Sequence, residues 1–187
     1  MINGKQLKAI SAFIKKDGSG SSGGLTINFD KSEIFAYNGS NAVLVELVGG
    51  LEGKGQTVVP LEVVLSAIVL IGDGNVTATR EDFCGIPFEP PMVNDLIKDY
   101  RSIFVPDDIR KPGRPGLYTS ASVKLLEGLD KVFPGLSEFV LPTSPNKPLI
   151  LEIGQSEPPT EIVKAAIMPR SNPPLKNTWD GLPQKSS

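Results

Sequence analysis

The chain carries 187 residues, 40% of them hydrophobic and 21% charged, with a formal net charge of −2. That balance describes a globular chain long enough for its own core, and it excludes both a disordered chain and a global basic field that would draw the protein onto nucleic acid. Histidine is absent and Cys84 is the single cysteine, which excludes Ser-His-Asp and Cys-His nucleophile pairs, HExxH zinc centres and an internal disulfide.

Residues 4–16 predict a first helix. Leu7, Ile10, Phe13 and Ile14 recur at helical spacing on one face, and Asn3 supplies an N-cap. Lys5, Lys8, Lys15 and Lys16 fall on the other face. Residues 17–24 (DGSGSSGG) form a turn. Strands are predicted at 25–29, 34–37 and 42–48, with Asn38-Gly39 as the hairpin turn after the second. Residues 57–59 read as a strand end. Pro60 then leads into an apolar segment, 61–71, for which length and the leading proline favour a buried helix over a buried strand. That segment is far shorter than the about 20 residues of a membrane span, and the opening residues lack the apolar run of a signal peptide. With a lone cysteine, this reads as a protein of a reducing compartment, cytoplasmic and without membrane association.

Residues 72–75 read as a turn and 76–79 as extended chain. The stretch from about 80 to 116 is irregular and proline-rich, with a short helix predicted over 93–98. Residues 117–133 predict another clear helix, capped by Thr119 or Ser120 and stopped by Pro134-Gly135. Leu125, Leu126, Leu129, Val132 and Phe133 form its apolar stripe; Lys124 and Lys131, seven apart, share the opposite face. Strands follow at 138–141, 148–153 and 162–168. Residues 171–187 are polar and proline-rich around a lone Trp179 and read as a disordered tail. The expected class is α+β, helices packed on antiparallel sheets: two helix-plus-three-strand halves within residues 1–170, joined by the irregular segment.

The short motifs point away from catalysis. Residues 20–24 fit G-x-S-x-G, but a helix precedes them, strands follow and no histidine exists to serve the serine. Residues 53–57 (GKGQT) lack the first glycine and the magnesium-binding hydroxyl of a phosphate loop. The sequons at Asn38 and Asn75 read as turn residues, and the acid pairs Glu81-Asp82 and Asp107-Asp108 as solvated loop charges. No catalytic residue, metal ligand or cofactor is expected. The basic helix faces carry more. Lysines along a helix follow a phosphate backbone without reading base edges, and the competing reading is a solvated face.

The order of three stretches resembles the bacterial DNA polymerase III β sliding clamp family and its shorter phage-type relatives. Residues 118–133 (YTSASVKLLEGLDKVF) are followed by strands ending in Ile167-Met168-Pro169-Arg170, where the family has a helix and then strands closing on Met-Pro. Residues 25–47 resemble the clamp strand pair that ends in a "TDG-R" turn, and residues 98–106 (KDYRSIFVP) resemble its "PDYRxxxP" linker. The turn here reads Tyr37-Asn38-Gly39-Ser40-Asn41, without the acid or the arginine.

The resemblance implies a DNA-clamp-like fold without enzymatic activity. It implies a processivity factor that holds duplex DNA non-specifically inside an oligomeric ring and tethers a DNA polymerase or other replication protein. On that basis Lys5, Lys8, Lys15, Lys16, Lys124 and Lys131 are the candidate DNA contacts, and Ile167, Met168, Pro169 and Arg170 the candidate partner pocket. A chain this short closes a ring only as a homo-oligomer, a hexamer if it is one clamp domain or a tetramer if it is one and a half. The alternative is a clamp-fold structural or interaction protein that has lost DNA binding, which the missing arginine and the acidic balance favour.

Overall fold

The computed structural model describes residues 2–18, 22–90, 99–104, 120–133, 135–140, 147–154 and 161–169. The helix predicted over 93–98, Asp107-Asp108, Thr119, Gly20-Ser21, Arg170 and the tail lie outside the described residues.

The first helix, α1, spans Gly4–Ser11. It begins with a capping box: the Asn3 side chain accepts from the Gln6 amide at 3.0 Å, and the Gln6 side chain accepts from the Asn3 amide at 2.8 Å. It ends five residues before the predicted Lys16. The Phe13 and Ile14 amides reach back only three residues, to Ile10 and Ser11, so the chain tightens and turns while its apolar residues keep facing inward. Lys15 and Lys16 therefore lie beyond α1 and off its face.

Four strands come next: β1 (Gly24–Asn28), β2 (Glu33–Tyr37), β3 (Asn41–Leu47) and β4 (Gln56–Pro60). Each falls within a residue or so of its predicted place. The Asn38 side chain closes the β2–β3 turn by accepting from the Ser40 and Asn41 amides, and Gly39 takes φ 95° there. The apolar segment is a helix, α2 (Leu61–Ile71). α1 starts against its end. A Cβ on Gly4 would collide with the Gly72 carbonyl oxygen, and the Gly4 amide donates to the Gly74 carbonyl at 3.1 Å. A two-residue hairpin, β5 (Asp82–Phe83) and β6 (Ile86–Pro87), turns through Cys84 and Gly85, both at positive φ.

After the short 3-10 helix Tyr100–Phe104 comes α3 (Ser120–Asp130), then β7 (Leu136–Val140), β8 (Leu149–Gly154) and β9 (Glu161–Ile167). The predicted continuation of α3 to Phe133 is a looser turn, although the Lys131 amide still donates to Glu127.

β1–β4 and β7–β9 join into one antiparallel sheet in the order β4-β1-β2-β3-β9-β8-β7. The seam is β3 with β9, registered from Asn41 opposite Ile167 to Leu47 opposite Glu161. The described helices α1, α2 and α3 lie on one face, α1 between α2 and α3. Their inward residues, among them Leu7, Ile10, Val64, Ala67, Leu129 and Phe133, bury against Ile27, Val45, Val163 and Ile153. The opposite face is covered in its middle by the 3-10 segment, where Tyr100 and Phe104 pack on Phe35, Leu44, Ile150 and Ala166. Every residue of β1 is consequently buried, the polar Thr26 and Asn28 included.

Candidate functional site

Three surfaces present chemistry: the outer side of the helix layer, the strand end at Met168, and a groove beside α3. On the helix layer, Lys5 and Lys8 stand one turn apart on α1, both exposed, and Lys124 is exposed on α3. Lys15 and Lys16 are exposed in the turn after α1, and Lys131 just past α3. Among the described residues, Lys5 and Lys131 have carboxylate partners. Lys5 pairs with Asp73 at 3.1 Å, and Lys131 pairs with Glu127 at 2.8 Å. The Lys131 hydrogen bond and charge hold the Glu127 carboxyl below its ordinary value, with Lys124 adding to the effect.

The helix layer is not uniformly cationic. α2 carries no basic residue and presents Leu65, Val69 and Leu70 outward, Val69 being 84% exposed. Composition alone could have signalled this. Within α2 only Glu62 and Ser66 are polar, so an apolar side chain must point outward somewhere on every turn.

At the end of β9, Ile167 is wholly buried, whereas Met168 is 41% exposed and its amide donates to Ser40. Pro169 is half-buried. Of the four predicted pocket residues, Met168 and Pro169 thus offer surface, and Ile167 is core.

The groove was not foreseen from the sequence. Val123 and Leu126 of α3, Phe139 of β7 and Leu149 and Leu151 of β8 line a cavity of about 470 Å³, with Glu127 and Asp130 at its rim. It exists because α3 leaves the end of the sheet open: Phe139 points to the helix side, yet is 57% exposed. A phenylalanine in the last strand of a sheet signals this only once the strand order is known.

Behind the sheet, a polar cluster fixes the 3-10 segment. The Tyr100 hydroxyl donates to Glu33 at 2.5 Å and accepts from Asn28 at 2.9 Å. Arg101 forms an ion pair with Glu33, whose side chain is fully buried. Tyr100 stacks on Phe35 at 4.9 Å between ring centroids, with Lys31 over its other side at 5.9 Å. Burial pushes the Tyr100 hydroxyl above its ordinary pKa, opposed by the Asn28 hydrogen bond and reinforced by Glu46. Of this cluster, Tyr100 and Arg101 were legible as a motif; their partners Glu33 and Asn28 were not.

The rest is structural. Glycine 55 donates its amide to Asp30 at 3.0 Å, so the 53–57 loop is stitched to a carboxylate that would repel phosphate. Asp82 accepts from the Gly85 amide at 2.8 Å and shapes the β5–β6 turn. Burial raises the Cys84 pKa, against the Thr77 backbone hydrogen bond, which leaves a thiol of low reactivity. Among the described residues no group of three or more Cys, Asp or Glu is placed to hold a metal ion, and no helix is long and apolar enough to cross a membrane.

No family model and no curated protein matches the chain. Solved structures do. The Caulobacter crescentus beta sliding clamp, crystallised with PEG at a putative beta-motif tethering region, superposes with a TM-score of 0.61 at 13% identity, covering 91% of this chain. The Pseudomonas aeruginosa DNA polymerase sliding clamp gives 0.56 at 11% identity over 91%. The H. pylori beta clamp in complex with diflunisal gives 0.55 at 10% over 90%. The chain spans 65%, 65% and 64% of those three structures. At such identity the likeness establishes the fold: α+β, of the sliding-clamp kind, as the sequence led us to expect.

Proposed function

We propose that this protein is a clamp-like processivity factor, a non-enzymatic homo-oligomer whose helix layer faces duplex DNA and whose Met168 end receives a polymerase or other replication protein. The observation that carries this reading is the superposition on sliding clamps over 91% of the chain. The exposed Lys5, Lys8 and Lys124 on that layer support it. A ring that slides needs cations that attract phosphates without gripping bases, and sparse lysines on helices meet that need. An overall charge of −2 is compatible, because the two sides of a sheet can carry opposite potentials.

The test is a Lys8→Glu/Lys124→Glu variant measured for retention on circular duplex DNA and for salt dependence. Each lost phosphate contact should lower the slope of log affinity against log salt by about 1. Unchanged retention and slope would sink the DNA-facing assignment. Absolute mass in solution, expected to be that of a tetramer or hexamer, tests the ring.

A second reading has its own support. The largely apolar outer side of α2, which carries no basic residue, and the carboxylate partners of Lys5 and Lys131 suit a clamp-fold protein that binds another protein rather than DNA. It predicts no salt-dependent retention on DNA, and loss of a protein contact when Leu65 and Val69 become charged.

A further inference from the structure

We propose that Asp73 and Glu127 are counter-charges built into the helix layer, which hold Lys5 and Lys131 back from phosphate and leave lysines such as Lys8 and Lys124 to meet the duplex. The inference rests on the DNA-facing reading of that layer and adds to it a device that limits grip.

The fold itself makes both pairs. Lys5 and Asp73 stand 68 residues apart in sequence. They meet because the start of α1 is fixed on the end of α2, where the Gly4 amide donates to the Gly74 carbonyl at 3.1 Å. The Lys5 ammonium then donates to the Asp73 carboxylate, also at 3.1 Å. Glu127 and Lys131 are four residues apart at the end of α3, with the acid N-terminal to the lysine, the favoured order on a helix. The Lys131 ammonium donates to the Glu127 carboxylate at 2.8 Å, and the Lys131 amide donates to the Glu127 carbonyl at 3.2 Å. The hydrogen bond from Lys131, and then its charge, lower the Glu127 pKa, so that carboxyl stays ionised at neutral pH. Both contacts are of hydrogen-bond length, unlike those of Lys164 at 3.9 and 4.0 Å. Among the described residues Lys8 and Lys124, both exposed, have no carboxylate in such contact.

The pairing changes what a phosphate meets. At 0.15 M salt the Debye length is about 8 Å, so a carboxylate at hydrogen-bond distance from an ammonium lies well inside it. A phosphate nearing Lys5 or Lys131 meets a nearly cancelled pair, whereas one nearing Lys8 or Lys124 meets a whole charge. To bind phosphate, a paired lysine must leave its carboxylate. The carboxylate then gathers a cation while the DNA releases one, so the counterion release that drives association is close to nil at that contact. The pairs are also weak enough to exchange. The Lys5 and Asp73 side chains are 68% and 75% exposed, and an exposed pair disfavours the separated state by only about 1.5- to 5-fold. On the ring reading, closure retains the duplex, and each further phosphate contact only adds drag.

The salt dependence of binding to circular duplex DNA, measured on the full chain, tests this. Asp73→Asn and Glu127→Gln are exposed, near-isosteric changes that leave the core untouched. Each should steepen the slope of log affinity against log salt by about 1 for every copy touching the duplex, and raise affinity about 1.5- to 5-fold per copy. Adding Lys5→Gln to the first variant, or Lys131→Gln to the second, should return the original slope. Lys8→Gln in the unaltered protein should flatten it by about 1 per copy. If the unaltered protein binds in a salt-dependent way and neither carboxamide variant changes the slope, the counter-charge role is overturned and the DNA-facing reading stands. A gain that persists once the paired lysine is also removed overturns it too, because the carboxylate then repels DNA without restraining a lysine. Absence of salt-dependent binding in the unaltered protein and in both variants would overturn the DNA-facing reading itself, and this inference with it.

Discussion

The two halves of the sheet are built alike but finished differently. The first half has four strands under two helices. β4 at its margin lies beside the 76–83 segment, where the Thr57 hydroxyl donates to the Arg80 carbonyl at 3.1 Å. The second half has three strands under one helix, and among the described residues nothing pairs with the outer edge of β7. An open strand edge beside exposed Phe139 and Val123 is a surface that soluble proteins normally cover. The difference teaches that, among the described residues, the margin of the first half is lined by its own chain, whereas the outer edge of β7 is left without a pairing strand.

The largest expected effect tests whether the halves share one core. Phe133 is fully buried under α3, and α1 reaches across to the same region: the Gln6 side chain donates to the Val132 carbonyl and to Glu161, each at 3.3 Å. Phe133→Ala should cost ~3–5 kcal/mol. One cooperative core predicts a single urea transition, probed in either half, moved to lower denaturant. Two separate transitions, with the first half unmoved, would break the shared-core reading.

Next comes the 3-10 clamp behind the seam. Tyr100→Phe keeps the stacking on Phe35 but removes the hydroxyl between Asn28 and the buried Glu33, for ~1–3 kcal/mol. It should also change the alkaline limb. The Tyr100 pKa is raised in the folded protein, so its contribution is whole below the unfolded value, about 10, and is lost as pH rises through the folded value. The variant should lose less stability above that pH than the unaltered protein. An identical alkaline decline in both would show that Tyr100 does not govern it.

The same contrast explains what could be read in advance. Strand positions followed from alternation and from Asn38-Gly39, because these are local signals. The first helix was read five residues too long because Phe13 and Ile14 continue the apolar period after the hydrogen-bond ladder has tightened at Ser11. Burial of Asn28 was invisible in the first half, since the Tyr100 hydroxyl it bonds arrives from more than seventy residues along the chain. The groove was invisible in the second half for the complementary reason. Exposure of Phe139 depends on a helix that does not reach it, and no local pattern records an absent neighbour.

The smallest effect sits on the seam itself. Lys164 of β9 lies between Glu46 of β3 and Glu152 of β8, at 3.9 and 4.0 Å. Glu152 in turn faces Glu138 of β7 across the strands. These separations exceed hydrogen-bond length, so the interaction is Coulombic, one cation offsetting carboxylates from both halves. Lys164→Met keeps most of the apolar stem and removes the charge, which should cost about 0.5 kcal/mol at low ionic strength. The Debye length falls from ~30 Å at 0.01 M salt to ~3 Å at 1 M, so the stability difference should shrink as salt is raised. If the difference persists undiminished at high salt, the lysine serves through packing of its stem, and the halves are joined by the β3–β9 ladder and the shared core without electrostatic help.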